Sequence, residues 1–277
     1  MTVPTHRIGN VELVALRDAE LQVPAADLFP SIAADDWKPY RDLLDTEGRL
    51  HLTVGCFAAR AAHRLVIVDT GIGNKPRTAA PLGNLWGHLE EDGVRPDEVT
   101  DVIISHMHFD HCGWNTLQSG DFWRPAFPKA RYHVSRVDWE YWTRPQALAA
   151  NPHITDCFLP LEAAGVLDLH AGEYRVGEEL TVFPTPGHTP GHCSVWITSA
   201  GQHGLILGDV AHSPVQVRNP GWSTSFDTDP ARAAETRRQV LERARSMKAQ
   251  VIAGHFPYPA FGVLEVKDGK AFWKSLL

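Results

Sequence analysis

Ser105-His106-Met107-His108-Phe109-Asp110-His111 is the stretch from which the rest of the chain can be read. Three imidazoles and a carboxylate fall between positions 106 and 111, directly after the apolar run Val102-Ile103-Ile104. Crowding such groups into one small volume is costly unless something compensates, and a divalent cation does so. The β-branched run reads as a strand buried on both faces. In extended backbone, residues two apart point the same way, so His106 and His108 can share one metal. Asp110 and His111 come where the chain turns towards a helix and can reach a second. A lone His-x-His would carry little weight, whereas four ligand side chains in one run after a strand carry much more.

Three further candidates lie far along the chain, each after an apolar strand. His188 sits in Thr185-Pro186-Gly187-His188-Thr189-Pro190-Gly191-His192, where glycines and prolines fix a tight loop. Asp209 follows Leu205-Ile206-Leu207-Gly208, and His255 follows Val251-Ile252-Ala253-Gly254. Loops at strand ends are where rigid scaffolds present reactive groups. Around these anchors the pattern predicts strands over 6–17, 52–59, 64–69, 102–104, 130–134, 180–183, 194–198, 205–207 and 251–253. Residues 22–50, with Pro24, Pro30 and Pro39, read as loop with short helical pieces. A short helix is expected over 84–92, ended by Gly93. A longer one is expected over 230–247, with Asp229 as N-cap and Pro230 at its first position. Residues 261–273 read as a hairpin turned at Asp268-Gly269. The chain is expected to be one domain over 1–277, with 1–50 as N-terminal strand and arm and 51–277 as catalytic body.

Composition narrows the function classes. With 43% hydrophobic and 21% charged residues among 277, the chain has the balance of a soluble globular protein and enough length for a large core. Its net charge of -7 argues against nucleic acid as a ligand, because phosphate backbones select basic surfaces. No run approaches the roughly 18 apolar residues of a membrane span, and the N-terminal stretch lacks the features of a secretory signal. Cys56, Cys112, Cys157 and Cys193 are scattered without a CxxC pair. Reduced thiols in the cytoplasm are the expectation.

These motifs resemble the metallo-β-lactamase superfamily, whose His-x-His-x-Asp-His signature is met by His106, His108, Asp110 and His111. The resemblance spans about residues 50 to 265. It implies an α/β fold, an αββα sandwich of two packed β-sheets flanked by helices. It also implies two divalent metal ions, zinc being favoured by a histidine-rich set. By this resemblance His106, His108 and His188 hold one metal, Asp110, His111 and His255 hold the other, and Asp209 bridges them. Asp69 matches the aspartate that orients the ligands. In the best-known class B β-lactamases a cysteine ligand stands where this chain has Asp209, which points away from antibiotic hydrolysis. Two metals in such a site generate a bridging hydroxide near neutral pH and polarise the bond it attacks.

Within the superfamily the chain most resembles the quorum-sensing lactonases (acyl-homoserine lactone hydrolases) and methyl parathion hydrolase, through 105–111, 187–192 and Gly208-Asp209-Val210-Ala211-His212. The implied activity is metal-dependent hydrolysis of small-molecule esters, foremost lactones, with Asp110 orienting or deprotonating the nucleophile. The lactonases commonly carry a tyrosine three residues after the bridging aspartate. Here His212 takes that position, as a candidate hydrogen-bond or proton donor to the leaving oxygen. Phe109, Trp139, Trp142 and Phe256 are candidates for the pocket lining, although each taken alone is as readily core. Aryl esters or organophosphate triesters, a thioester as in glyoxalase II, and a non-catalytic metal-binding role remain open alternatives. The expected partner is a small-molecule substrate, with neither nucleic acid nor membrane. A homodimer is compatible with the resemblance, residues 1–50 being an arm over the site or a dimer contact.

Overall fold

The computed structural model describes residues 3–75 and 82–277. In chain order its strands are β1 (Thr5–Ile8), β2 (Val11–Pro24), β3 (Arg49–Ala61), β4 (Arg64–Val68), β5 (Asp101–Ile103), β6 (Thr116–Ser119), β7 (Phe122–Pro125), β8 (Arg131–Ser135) and β9 (Leu167–His170). They continue as β10 (Tyr174–Val176), β11 (Leu180–Pro184), β12 (Cys193–Ser199), β13 (Gln202–Ile206), β14 (Gln250–Ile252), β15 (Phe261–Lys267) and β16 (Lys270–Ser275). Two seven-stranded sheets result, ordered β1-β2-β3-β4-β5-β8-β9 and β10 through β16, with β6 and β7 as a separate hairpin.

Strand alternation explains why both sheets bury continuous apolar runs. Val66, Val68 and Ile103 point into one core with Val195, Leu205 and Val251 of the second sheet, so the sheets pack face to face. Their neighbours Ile67 and Val102 point the other way, against Leu85 and Leu89 of the helix Leu85–Glu91 and Ile154 of the helix Pro152–Cys157. On the far side the helix Pro230–Ser246 buries Val240, Leu241 and Ala244. Helices therefore flank both sheets, the layered α/β sandwich that the motifs imply. The parallel pairs β4–β5, β5–β8 and β13–β14 matter most for function. Their strands end together, so the loops leaving them meet along one edge.

Where sequence and structure differ, local chemistry explains it. The single strand expected over 6–17 is a hairpin: the chain reverses at Gly9-Asn10, and β2 then runs on to Pro24, into the segment read as loop. Residues 25–43 do form short helical pieces, Ala25–Leu28 and Ala34–Leu43. The expected helix over 230–247 spans Pro230–Ser246, and the Asp229 carboxylate accepts from Arg232 N at 2.9 Å. The hairpin expected over 261–273 is β15–β16, with Asp268 and Gly269 in its turn. Four short helices between Arg136 and Ala163, and strands β6, β7, β9 and β10, were not anticipated. Each is too short for a periodic pattern to emerge.

Candidate metal centre

The loops at the strand ends deliver every candidate ligand to one buried place. Asp69 follows β4, 104–111 follow β5, His188 follows β11, Asp209 follows β13 and His255 follows β14. The backbone at Asp69 has φ +59°, strained for a residue with a side chain. It is held there by its own bonds: Asp69 N donates to Ile103 O, and its carboxylate accepts from Ser105 N at 2.7 Å, Ser105 Oγ at 2.8 Å and His111 Nδ1 at 2.9 Å. Gly208 has φ +57°, and a Cβ there would meet His192 Nε2 at 2.6 Å, so only glycine leads the chain into Asp209.

Four imidazoles are fixed through Nδ1 and aim Nε2 inwards. Ser105 Oγ donates to Asp69 and therefore accepts from His106 Nδ1 at 3.0 Å. His111 Nδ1 donates to Asp69, His188 Nδ1 to Asp227 at 3.0 Å, and His255 Nδ1 to Thr53 O at 2.8 Å. Outer acceptors of this kind set the tautomer of metal-binding histidines. Each of the four is left with an Nε2 that faces one carboxylate, and His188 Nε2 also lies 3.0 Å from His108 Nδ1. Asp209 lies 3.3 Å from His111, His188 and His255, and 3.7 Å from His106. The ligand atoms of His106, His108 and His188 fall within 4.8 Å of one another, as do those of Asp110, His111 and His255. These are the two trios implied by the resemblance, with Asp209 beside both.

Acceptors facing acceptors in a dry interior are not a stable arrangement by themselves. His106 Nε2, His111 Nε2 and Asp209 Oδ1 are buried and lack a hydrogen-bond partner among the described residues. A pair of cations would satisfy all of them, and the donor set fits that group. Electrostatics agrees in part: burial opposes charge on His111 and His255, but Asp209 and Asp110 outweigh it and raise both, the pull of unpaired carboxylates that cations would answer instead. Burial, reinforced by neighbouring imidazoles, pushes His106 and His108 well below the usual histidine range, into the neutral form that ligates metal. Burial also opposes charge on Asp209, yet His111, His255, His212 and His106 outweigh it and hold the carboxyl well below its ordinary value. His212 Nε2 sits 3.2 Å from Asp209, and burial lowers its pKa as well.

Three supporting residues escaped the sequence reading. Asp138, from the helix Arg136–Trp142, accepts from Met107 N at 3.3 Å, Thr189 Oγ1 at 2.8 Å and Gly191 N at 2.6 Å, tying the loop of His106 and His108 to that of His188. Burial raises its pKa to about 6. Asp227 anchors His188 and is itself approached by the buried Arg237 at 3.6 Å. His192 accepts from Asp209 N at 2.8 Å. No local motif marks Asp138 or Asp227, whereas His192 stood inside a quoted motif without a role.

Beside the centre opens a cleft lined by Leu21, Val23, Leu52, Phe109, Asp110, Asn151, His153, His212 and Phe226 together with the candidate ligands. The aromatic expectations need correction. Phe109 lines the cleft, but Phe256 is fully buried in the inter-sheet core with its ring against Trp273, because the chain after His255 turns inwards. Trp139 packs on the helix-covered face of the first sheet. Trp142 also packs there, and its edge meets His108 at 5.5 Å without reaching the cleft. Leu21 and Val23, in the part of β2 beyond the strand expected over 6–17, line it instead.

The chain is similar to known proteins. The chain is 26% identical to an N-acyl homoserine lactonase of Bacillus thuringiensis over 76% of its length and 84% of that protein's. It is 31% identical to N-acyl homoserine lactonase AttM of Azorhizobium caulinodans, over 61% of this chain and 63% of the other. Among solved structures, AidC, a dizinc quorum-quenching lactonase in complex with a product, superposes with a TM-score of 0.85 at 22% identity, covering 100% of this chain and 98% of AidC. The hydrolase AbOPH gives 0.84 at 26% identity, covering 98% and 96%. The superfamily's sequence pattern matches residues 54–255, from β3 to the last candidate ligand. The two sheets, the flanking helices and the ligand-bearing strand ends therefore have one common origin: the chain belongs to the metallo-β-lactamase superfamily.

Proposed function

We propose that the protein is a dinuclear metal-dependent lactonase acting on N-acyl homoserine lactones, folded as one catalytic unit over residues 1–277. The observation that carries this reading is the set of inward-facing Nε2 atoms around the buried Asp209. His106, His108 and His188 would hold one cation and Asp110, His111 and His255 the other, with Asp209 between them. Zinc is the metal such a set favours. Cations held there supply Lewis acidity and a water of lowered pKa. The names of the relatives point to the substrate class, and the apolar lining of Leu21, Val23 and Leu52 suits an acyl chain.

The chain's own side chains do the remaining work. Asp110 faces the cleft and takes the proton of the attacking water. His212, kept neutral by burial, can hold its hydrogen at Nε2 and donate a hydrogen bond to the leaving ring oxygen, which takes up the proton that Asp110 received from the water. His212→Phe should lower kcat at least about tenfold while metal analysis still finds two ions per chain. Unchanged turnover would remove His212 from the chemistry. Four free, buried cysteines support a reducing, cytoplasmic setting. The reading is tested by a panel of acyl-homoserine lactones, simple lactones, aryl esters, thioesters and methyl parathion on protein of measured metal content. Acyl-homoserine lactones should give the highest kcat/KM; a preference for triesters or thioesters would redirect the assignment.

A further inference from the structure

Away from the histidines and aspartates, the cleft has two polar side chains whose roles the preceding reading leaves open: Asn151 and His153, at the start of the helix Pro152–Cys157. Their hydrogen bonds fix which atoms they offer. His153 Nε2 lies 3.0 Å from Met107 O. A carbonyl can only accept, so Nε2 carries the hydrogen. Burial lowers the pKa of this histidine, and a neutral ring protonated at Nε2 has a bare lone pair at Nδ1. Asn151 Nδ2 donates to Ala147 O at 2.9 Å, which orients the amide and leaves Oδ1 free. Neither Nδ1 of His153 nor Oδ1 of Asn151 has a partner among the described residues. These two side chains thus offer the cleft acceptors only, in a lining that also includes the apolar Leu21, Val23 and Leu52.

A pair of acceptors recognises a donor. An N-acyl homoserine lactone has one N–H, in the amide that joins ring to chain, and no other donor. We propose that His153 is a specificity-determining residue whose Nδ1, assisted by Asn151 Oδ1, accepts the amide N–H of the substrate and so selects α-amido lactones over lactones without that donor. The inference rests on the lactonase reading and refines it. A site built to pair a donor discriminates against the analogue lacking it, because the acceptor is then desolvated without return.

The test compares an N-acyl homoserine lactone with its oxa analogue, in which an ester oxygen replaces the amide N–H, using metal-loaded protein and reading lactone ring opening. The wild type should favour the amide by about tenfold in kcat/KM, mainly through KM. His153→Gln keeps a donor for Met107 O but presents no acceptor at the Nδ1 position; it should bring the ratio close to one, with the oxa analogue opened within about twofold of the wild-type rate. His153→Asn keeps an acceptor near Nδ1 and should retain most of the preference. Equal opening of both substrates by the wild type, or equal slowing of both in His153→Gln, would overturn this inference and leave the lactonase reading standing. A wild type that opens neither lactone would overturn that reading itself.

Discussion

Two buried carboxylates, Asp18 and Asp209, are each 3% exposed, yet their surroundings are opposite. Asp18 lies at the bulge where the β2–β3 register slips between Arg17 and Ala19, which turns its side chain off the ladder. There it accepts from Ile72 N at 2.6 Å, Gly73 N at 3.1 Å, Leu85 N at 2.7 Å and Trp114 Nε1 at 2.8 Å. A Cβ on Gly71 would strike its carboxylate at 2.2 Å, so the loop is shaped around it. Asp209 is ringed by imidazole nitrogens whose protons have been given away on their other side. One carboxylate is saturated with donors and belongs to the architecture. The other faces the Nε2 atoms of four anchored imidazoles, the surroundings a bound cation would use. Burial is the same for both, and what separates them is the bookkeeping of hydrogens.

That contrast can be broken by substitution. Asp209→Asn places an amide among groups that need a cation and removes the shared charge. It should leave at most one ion per chain by elemental analysis and reduce hydrolysis by at least about a thousandfold; near wild-type activity would sever Asp209 from the centre. Asp18→Asn should act on stability instead. The amide nitrogen would replace an oxygen that accepts from two N–H donors, costing about 3 kcal/mol in urea unfolding, while two ions per chain and kcat within about threefold are retained. Loss of metal in Asp18→Asn would merge the two regions that the comparison separates.

A third buried carboxylate, Asp101, sharpens the comparison because its donors are partly charged. Burial opposes its ionisation, but His133, Thr100 and Arg64 outweigh this and lower its pKa to about 2. Its folded value lies below the unfolded one of about 3.9, so its contribution is present above pH 4 and disappears as pH falls through 2. Wild-type unfolding free energy should drop between pH 5 and pH 2 by on the order of 2 kcal/mol more than that of Asp101→Asn. Parallel pH profiles would contradict this.

Much of this was legible in the sequence, for physical reasons. His106, His108, Asp110 and His111 are consecutive and end a β-branched strand, so one local pattern carries both composition and placement. Gly-His, Gly-Asp and Gly-His after apolar runs marked His188, Asp209 and His255 in the same way. Asp138, Asp227 and Asp18 carry no local signal because their partners are brought to them by tertiary packing, Gly191, His188 and Trp114 lying 53, 39 and 96 positions away. The cleft wall was missed because Leu21 and Val23 belong to a strand whose proline-bearing end reads as loop. Phe256 was misassigned because adjacency to a ligand does not say which way the next side chain turns.

The central claim is that the arrangement around Asp209 exists to hold two cations. Purified protein stripped with a chelator, dialysed, and titrated with zinc under calorimetry tests it most directly. Two ions per chain, with heat released at both sites and a rise in Tm, are the predicted result. A folded protein that takes up no zinc and keeps the same Tm would contradict it.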